Sequence, residues 1–145
     1  MTARVTMTAD AGGTMLRHLF VCFPEEACGL LVGRREGDML HIGEAVPSPN
    51  LADEREKRFE IDPGLRLRTQ RAARESGLEV VGLYHSHPFG EPEPSATDRE
   101  RAALEPDLVW LSAGLRWGGL DGLAAWRLPP VEAPVRLDLD IQSED

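Results

Sequence analysis

The spacing of apolar and polar positions changes along this chain, and the changes divide it into elements. Residues 4–7 predict a short opening strand, with Gly12-Gly13 as a break behind it. Leu16, Leu19, Phe20 and Phe23 then recur at i, i+3, i+4 and i+7, one face of an amphipathic helix that Pro24 stops. The apolar run Ala27 to Val32 predicts a strand. With a turn over Arg34–Asp38, residues 27–33 and 39–46 form a hairpin. The charged stretch Pro47 to Lys57 reads as a solvated loop, and Phe59–Ile61 as a short extended piece. Asp62 caps a second helix with Pro63 in its first position and Gly77 at its end. Leu65, Thr69, Ala72 and Ala73 supply the buried stripe of that helix. Val80–Tyr84 is apolar and β-prone, so His85 and His87 stand at the end of a buried strand that Pro88 terminates. A turn-rich segment, 89–94, leads to Ser-x-x-Asp at 95–98, a helix start with Ser95 or Thr97 as N-cap. Pro106 closes that helix. Residues 107–112, 118–127 and 131–139 predict three more strands, and 142–145 a frayed tail.

Helices and strands are mixed, with several hairpins and neither an internal repeat nor a linker. The expectation is a single α+β domain spanning 1–145. At 145 residues the chain is long enough for a proper core. A net charge of −9 argues against binding nucleic-acid phosphates, which requires Lys and Arg to neutralise them. It favours instead a partner with a basic patch. No run of 18 apolar residues is present to span a membrane, and the N-terminus lacks the apolar core of an export signal, so a cytoplasmic protein is expected. Cys22 and Cys28 make no disulfide framework and are read as reduced and at least partly buried; two thiols also exclude a four-cysteine zinc site. His18 reads as a surface or helix-flank residue and His41 as structural. Trp110, Trp117 and Trp126 read as core or edge packing.

The chemistry concentrates at Gly82-Leu-Tyr-His85-Ser-His87-Pro88 and Ser95-Ala-Thr-Asp98. Side chains alternate along a strand, so both imidazoles point to one face while Ser86 points to the other and takes no catalytic part. Two imidazoles and the Asp98 carboxylate make three ligands, the number that suits catalytic zinc with an open fourth position. His-x-His alone is a weak signal, and Ser-x-x-Asp alone is usually a capping box. Together, and with Pro88, they are far more specific.

The combination resembles the JAMM (MPN+) metallopeptidases, whose motif is His-x-His, seven residues beginning with proline, then Ser-x-x-Asp, plus an upstream glutamate. Here it falls without a gap on His85, His87, Pro88, Ser95 and Asp98. Pro24-Glu25-Glu26-Ala-Cys28-Gly29 looks like the family's glutamate segment, and Phe59-x-Ile61-Asp62-Pro63 like its short bacterial branch. Residue types alone do not choose Glu26 over Glu25; the resemblance aligns the catalytic glutamate with Glu26.

The resemblance implies a curved mixed sheet flanked by helices, similar to the cytidine-deaminase sandwich. It implies one Zn²⁺ per chain on His85, His87 and Asp98, with Glu26 as proton carrier and Ser95 as donor to the developing oxyanion. The implied substrate is the C-terminal tail of a ubiquitin-like sulfur-carrier protein, cut after its terminal glycine with cysteine as one leaving group. The loop before Phe59 would border the substrate groove, and there is no room for the long insertions of eukaryotic deubiquitinases. Two rivals stand beside this reading. One is a broader isopeptidase removing ubiquitin-like modifiers from lysines. The other is a non-catalytic MPN scaffold, although such scaffolds usually lack a metal ligand and none is missing here. A phage-tail or cell-wall peptidase is disfavoured by the absence of an export signal.

Overall fold

The structure, a computed structural model, describes residues 1–143, so Glu144 and Asp145 of the expected tail lie outside it. Three helices and one sheet run in the order β1 (Arg4–Met7), α1 (Ala9–Cys22), β2 (Cys28–Glu36), β3 (Met39–Ser48), α2 (Pro63–Glu75), β4 (Glu79–Pro88), α3 (Ala96–Ala102), β5 (Val109–Arg116), β6 (Gly119–Arg127) and β7 (Val135–Ile141). The mixed helix–strand class agrees with expectation, but the flanked, open curved sheet does not. The seven strands close into a barrel in the order β1-β3-β2-β4-β5-β6-β7. The difference lies in β1, which pairs in parallel with β3 on one side and β7 on the other. Its four residues join the two edges that an open sheet would leave unpaired, and so remove them.

The expected hairpin is present. β2 and β3 run antiparallel through a turn at Gly37, whose φ of 61° suits a residue without Cβ. β2 extends to Glu36, three residues into the anticipated turn. Alternation along the barrel strands separates two apolar clusters. Val109, Leu111, Ala113 and Ala125 face Met15 and Leu19 of α1. Leu83, Trp110, Ala124 and Trp126 face Phe59 and Ala102 of α3. His85 and His87 follow Leu83 at steps of two, so they belong to the α3 side.

α1 departs from the sequence pattern. It begins at Ala9 with Thr8 as N-cap, runs through Gly12-Gly13, and buries Ala11, Gly12, Met15 and Leu19. A Cβ at Gly12 would lie 2.6 Å from the Ile141 side chain, so glycine permits the helix to approach β7. The stripe is thus rotated from the expected one, and Phe20 is exposed. In α2 the cap Asp62 and Pro63 are as expected, but Thr69 and Ala73 are buried and Ala72 is not. β5 runs four residues beyond its expected end, and β7 begins four residues later than anticipated. Both cysteines are free, Cys28 buried and Cys22 partly so. His41 meets Thr6 Oγ1 at 2.8 Å within the sheet. His18, expected at the surface or on a helix flank, is half-buried on α1 with Nδ1 2.7 Å from the Tyr84 hydroxyl. Trp110 and Trp126 are buried, whereas Trp117 is 74% exposed and packs on Phe23 and Phe89. Among the described residues, no helix is long and apolar enough to cross a membrane.

Candidate metal centre

β4 carries His85 and His87 to its end beside the first turn of α3. There Ser95 caps the helix: its Oγ accepts from the Asp98 N–H at 3.0 Å, and Asp98 Oδ2 accepts from the Ser95 N–H at 2.9 Å. This reciprocal box fixes the Asp98 carboxylate toward the strand. His85 Nε2 lies 2.9 Å from His87 Nε2 and 3.0 Å from Asp98 Oδ2, and His87 Nε2 lies 3.2 Å from the same oxygen. Tetrahedral zinc with bonds of about 2.0–2.1 Å separates its donors by about 3.3 Å, so this spacing fits one such ion with slight expansion.

The tautomer of His87 also fits. His87 Nδ1 donates to the Glu91 carbonyl at 2.7 Å, which leaves Nε2 with a lone pair directed at the cluster. His85 is fully buried, with Phe59 packed on its ring at 4.7 Å and Trp110 at 5.5 Å. Its Nδ1 and the Oγ of Ser112, on adjacent β4 and β5 in register, find no hydrogen-bond partner among the described residues. Burial pushes the His85 pKa down and favours the neutral imidazole that a metal requires. For His87, burial acts downward too, but hydrogen bonds to Asp98 and Glu91 and the charges of Asp98 and Glu26 outweigh it and raise the pKa. Burial alone would raise that of Asp98; the charge of His85 and hydrogen bonds from both imidazoles and Ser95 instead hold it well below the usual carboxylate range. The set is therefore one anion and two nitrogen donors converging on one point.

Glu26 lies across the cavity from α3, just before β2. Its N–H donates to the Arg55 carbonyl at 2.7 Å, and its carbonyl accepts from Asn50 Nδ2 at 3.0 Å. Ser86 faces away from the side chains of His85 and His87, as alternation requires. It nonetheless fixes the neighbouring residue, because its Oγ accepts from the Ala27 N–H at 2.8 Å. Glu26 is 6% exposed, and burial, ahead of smaller opposing effects of nearby charges, pushes its carboxyl up to about 7. Glu25 is partly exposed and pairs with Arg55 at 3.2 Å, which separates the two glutamates that sequence alone left equivalent. Glu26, His87, Ser95 and Asp98 line one cavity of about 590 Å³, whose opposite wall is the loop from Ala52 to Glu60. Two residues passed over in the sequence belong here as well. Phe59 covers His85, and Arg101 lies over Phe59 with its guanidinium carbon 4.4 Å from the ring centroid. For Phe59 the signal was present in the Phe-x-Ile-Asp-Pro segment; Arg101 carried none.

Known proteins have similar sequences. The chain is 38% identical over 114 residues to a desampylase of Haloferax volcanii, covering 76% of this chain and 80% of that protein. It is 32% identical over 112 residues to a probable TtuB-protein conjugate cleaving protease of Thermus thermophilus, covering 77% and 68%. It is 31% identical over 112 residues to the CysO-cysteine peptidase of Mycobacterium tuberculosis, covering 77% and 74%. A solution structure of a Desulfitobacterium hafniense protein superposes with a TM-score of 0.82 at 29% identity, covering 97% of this chain and 94% of that one. The family model for prokaryotic homologs of the JAB domain matches residues 8–128, and the chain belongs to that prokaryotic branch of the JAMM/MPN family.

Proposed function

We propose that this protein is a zinc-dependent peptidase that hydrolyses the amide after the C-terminal glycine of a ubiquitin-like protein, with a sulfur carrier bearing C-terminal cysteine among its substrates. The observation that carries the reading is the convergence of His85, His87 and Asp98 within 3.2 Å of one another at the edge of a cavity that also holds Glu26. The three side chains would hold the zinc. When bound, the ion supplies a Lewis acid for the scissile carbonyl and lowers the pKa of a water toward about 7.

The chain's own groups supply the proton traffic. Glu26, whose carboxyl burial raises to about 7 in the metal-free chain, is placed on the cavity wall for both halves of the reaction. It accepts a proton from the attacking water and returns it to the leaving nitrogen as the C–N bond breaks, which leaves a carboxylate and a free amine. Ser95 Oγ already accepts from the Asp98 N–H, so its own hydrogen is available to the oxyanion that develops on the carbonyl. The N-cap and oxyanion roles therefore coexist on one hydroxyl.

A carrier tail reaching the cavity would bind extended, and the loop from 52 to 60 offers its wall. The relatives named for CysO-cysteine and for TtuB-protein conjugates support a substrate in which a small protein is joined through an amide. The conjugate-cleaving name also favours a second reading, removal of such proteins from lysines. Incubating zinc-loaded protein with carrier–cysteine and carrier–lysine adducts, read by intact mass, tests both. The expected result is release of the carrier ending in glycine, abolished by chelator. Intact adducts after prolonged incubation would refute the peptidase reading.

A further inference from the structure

Arg101 occupies an unusual position for a cation in this acidic chain. It lies three residues after Asp98 on α3, hence on the same helix face as the metal-ligating carboxylate. It lines the same cavity as Glu26, His87 and Asp98. Its guanidinium is anchored from behind: Nη1 donates to the Phe59 carbonyl at 2.5 Å, and the Phe59 ring lies beneath the group. The other cations of the cavity wall, Lys57 and Arg58, both pair with Glu54, at 3.9 and 3.7 Å. Arg101 has no carboxylate partner among the described residues, and only its Nη1 is engaged. Its remaining N–H groups form a pre-positioned donor set beside the reacting groups, and its charge reaches Glu26 and His85.

We infer that Arg101 binds the α-carboxylate of the leaving amino acid, making a single residue with a free carboxylate the preferred leaving group of this site. The inference rests on the peptidase reading above and gives its substrate a chemical class. In an α-linked terminal residue the carboxylate is two bonds from the scissile nitrogen, so a nitrogen protonated by Glu26 brings the carboxylate onto the α3 wall. In a lysine isopeptide the nitrogen is at the end of a four-carbon stem. Its α-carboxyl is remote and is usually tied up in a peptide bond. A guanidinium fixed on one side by a carbonyl and a ring matches the first arrangement and gains nothing from the second.

The test compares a ubiquitin-like carrier ending in Gly-Gly joined to cysteine with the same carrier joined to cysteinamide. Zinc-loaded wild type is expected to prefer the acid by about 10–100-fold in kcat/KM, the range of one charge-assisted hydrogen-bonded contact, mainly through KM. Arg101→Gln should bring the two substrates to parity while keeping its zinc content, and Arg101→Lys should restore part of the preference. A binding measurement runs beside the kinetics: calorimetry of both adducts on zinc-loaded Glu26→Gln protein, with and without Arg101→Gln, should show the same preference and its loss. Equal cleavage of acid and amide by wild type would overturn the inference while leaving the peptidase reading intact. So would an Arg101→Gln variant that slows both substrates equally, which would make Arg101 a strut for the Phe59 loop. Failure to cleave either adduct would refute the peptidase reading itself and the inference with it.

Discussion

Replacing Glu26 by glutamine should stabilise the fold of the chelator-treated protein, and by an amount that depends on pH. Glu26 is buried, no hydrogen bond from the described residues reaches its carboxyl, and its pKa stands at about 7 against an ordinary value of 4.5. Below pH 4.5 the carboxyl is neutral in both folded and unfolded chains and costs nothing. Between 4.5 and about 7 the unfolded chain releases a proton that the folded chain retains, so stability falls as pH rises. Above about 7 the folded chain carries the buried charge in full. At about 1.4 kcal/mol per pH unit, the interval amounts to about 3 kcal/mol. Glutamine has nearly the same shape and no charge, so the difference between variant and wild type isolates this one ionisation. The gain should be about 1 kcal/mol at pH 5 and about 3 kcal/mol at pH 8. With an unfolding entropy of about 2 cal/mol/K per residue, the latter is a rise of about 10 °C in Tm for this chain. Thermal or urea unfolding across pH 5–8, with chelator throughout, measures it. A difference that stays constant over that range would show that burial does not act on the ionisation of Glu26, and would remove the argument for a proton carrier poised near neutrality.

With zinc restored, Glu26→Gln should retain the metal and lose about 10²–10⁴-fold in turnover, read by metal analysis and hydrolysis rate on one preparation. His87→Ala or Asp98→Ala should instead lose the zinc, since two ligands remain of three; stoichiometric metal after either change would refute the ligand set. Ser95→Ala should cost about 1 kcal/mol as a lost N-cap, seen in unfolding, together with a turnover loss of about 10²–10³-fold; a stability loss with full turnover would leave Ser95 only the cap. Gly82→Ala should destabilise by about 1–3 kcal/mol, because its Cβ would meet the Val109 carbonyl across the β4–β5 pair that carries the site; an unchanged Tm would refute that reading.

What could be read in the sequence follows from how local each feature is. The two histidines, Pro88 and the Ser95–Asp98 box lie within 14 residues, and their geometry follows from strand alternation and one helix cap. The β2–β3 hairpin is equally local. The closed barrel is not: residues 4–7 read as a strand, but nothing in their pattern names Met39–Ile42 and Asp138–Ile141 as partners. The limits of α1 were missed for a related reason. Gly12 reads as a helix breaker in isolation and becomes favourable only against Ile141, 129 residues away. Arg101 is one arginine of a solvated helix until Phe59 is brought beneath it by an intervening loop and α2.

The position of Glu26 is the step that joins the local motif to the rest of the chain. It precedes His85 by 59 residues, and the antiparallel register of β2 with β4 brings it back. Cys28 lies opposite His85, and the mutual bonds of Ala27 and Ser86, at 2.8 and 3.1 Å, continue the pairing by one residue. The next step places Glu26 beside His87, on the face that His85 and His87 share. A slip of one residue would turn Glu26 to the opposite face and leave the His85–His87–Asp98 cluster without a neighbouring glutamate. Ser86, which contributes nothing to the cluster directly, opposes such a slip, because a shifted strand would leave both its hydroxyl and the Ala27 N–H buried and unpaired. The residue between the two histidines thus holds the glutamate in place, and the geometry of the site depends on sheet register as much as on the motif.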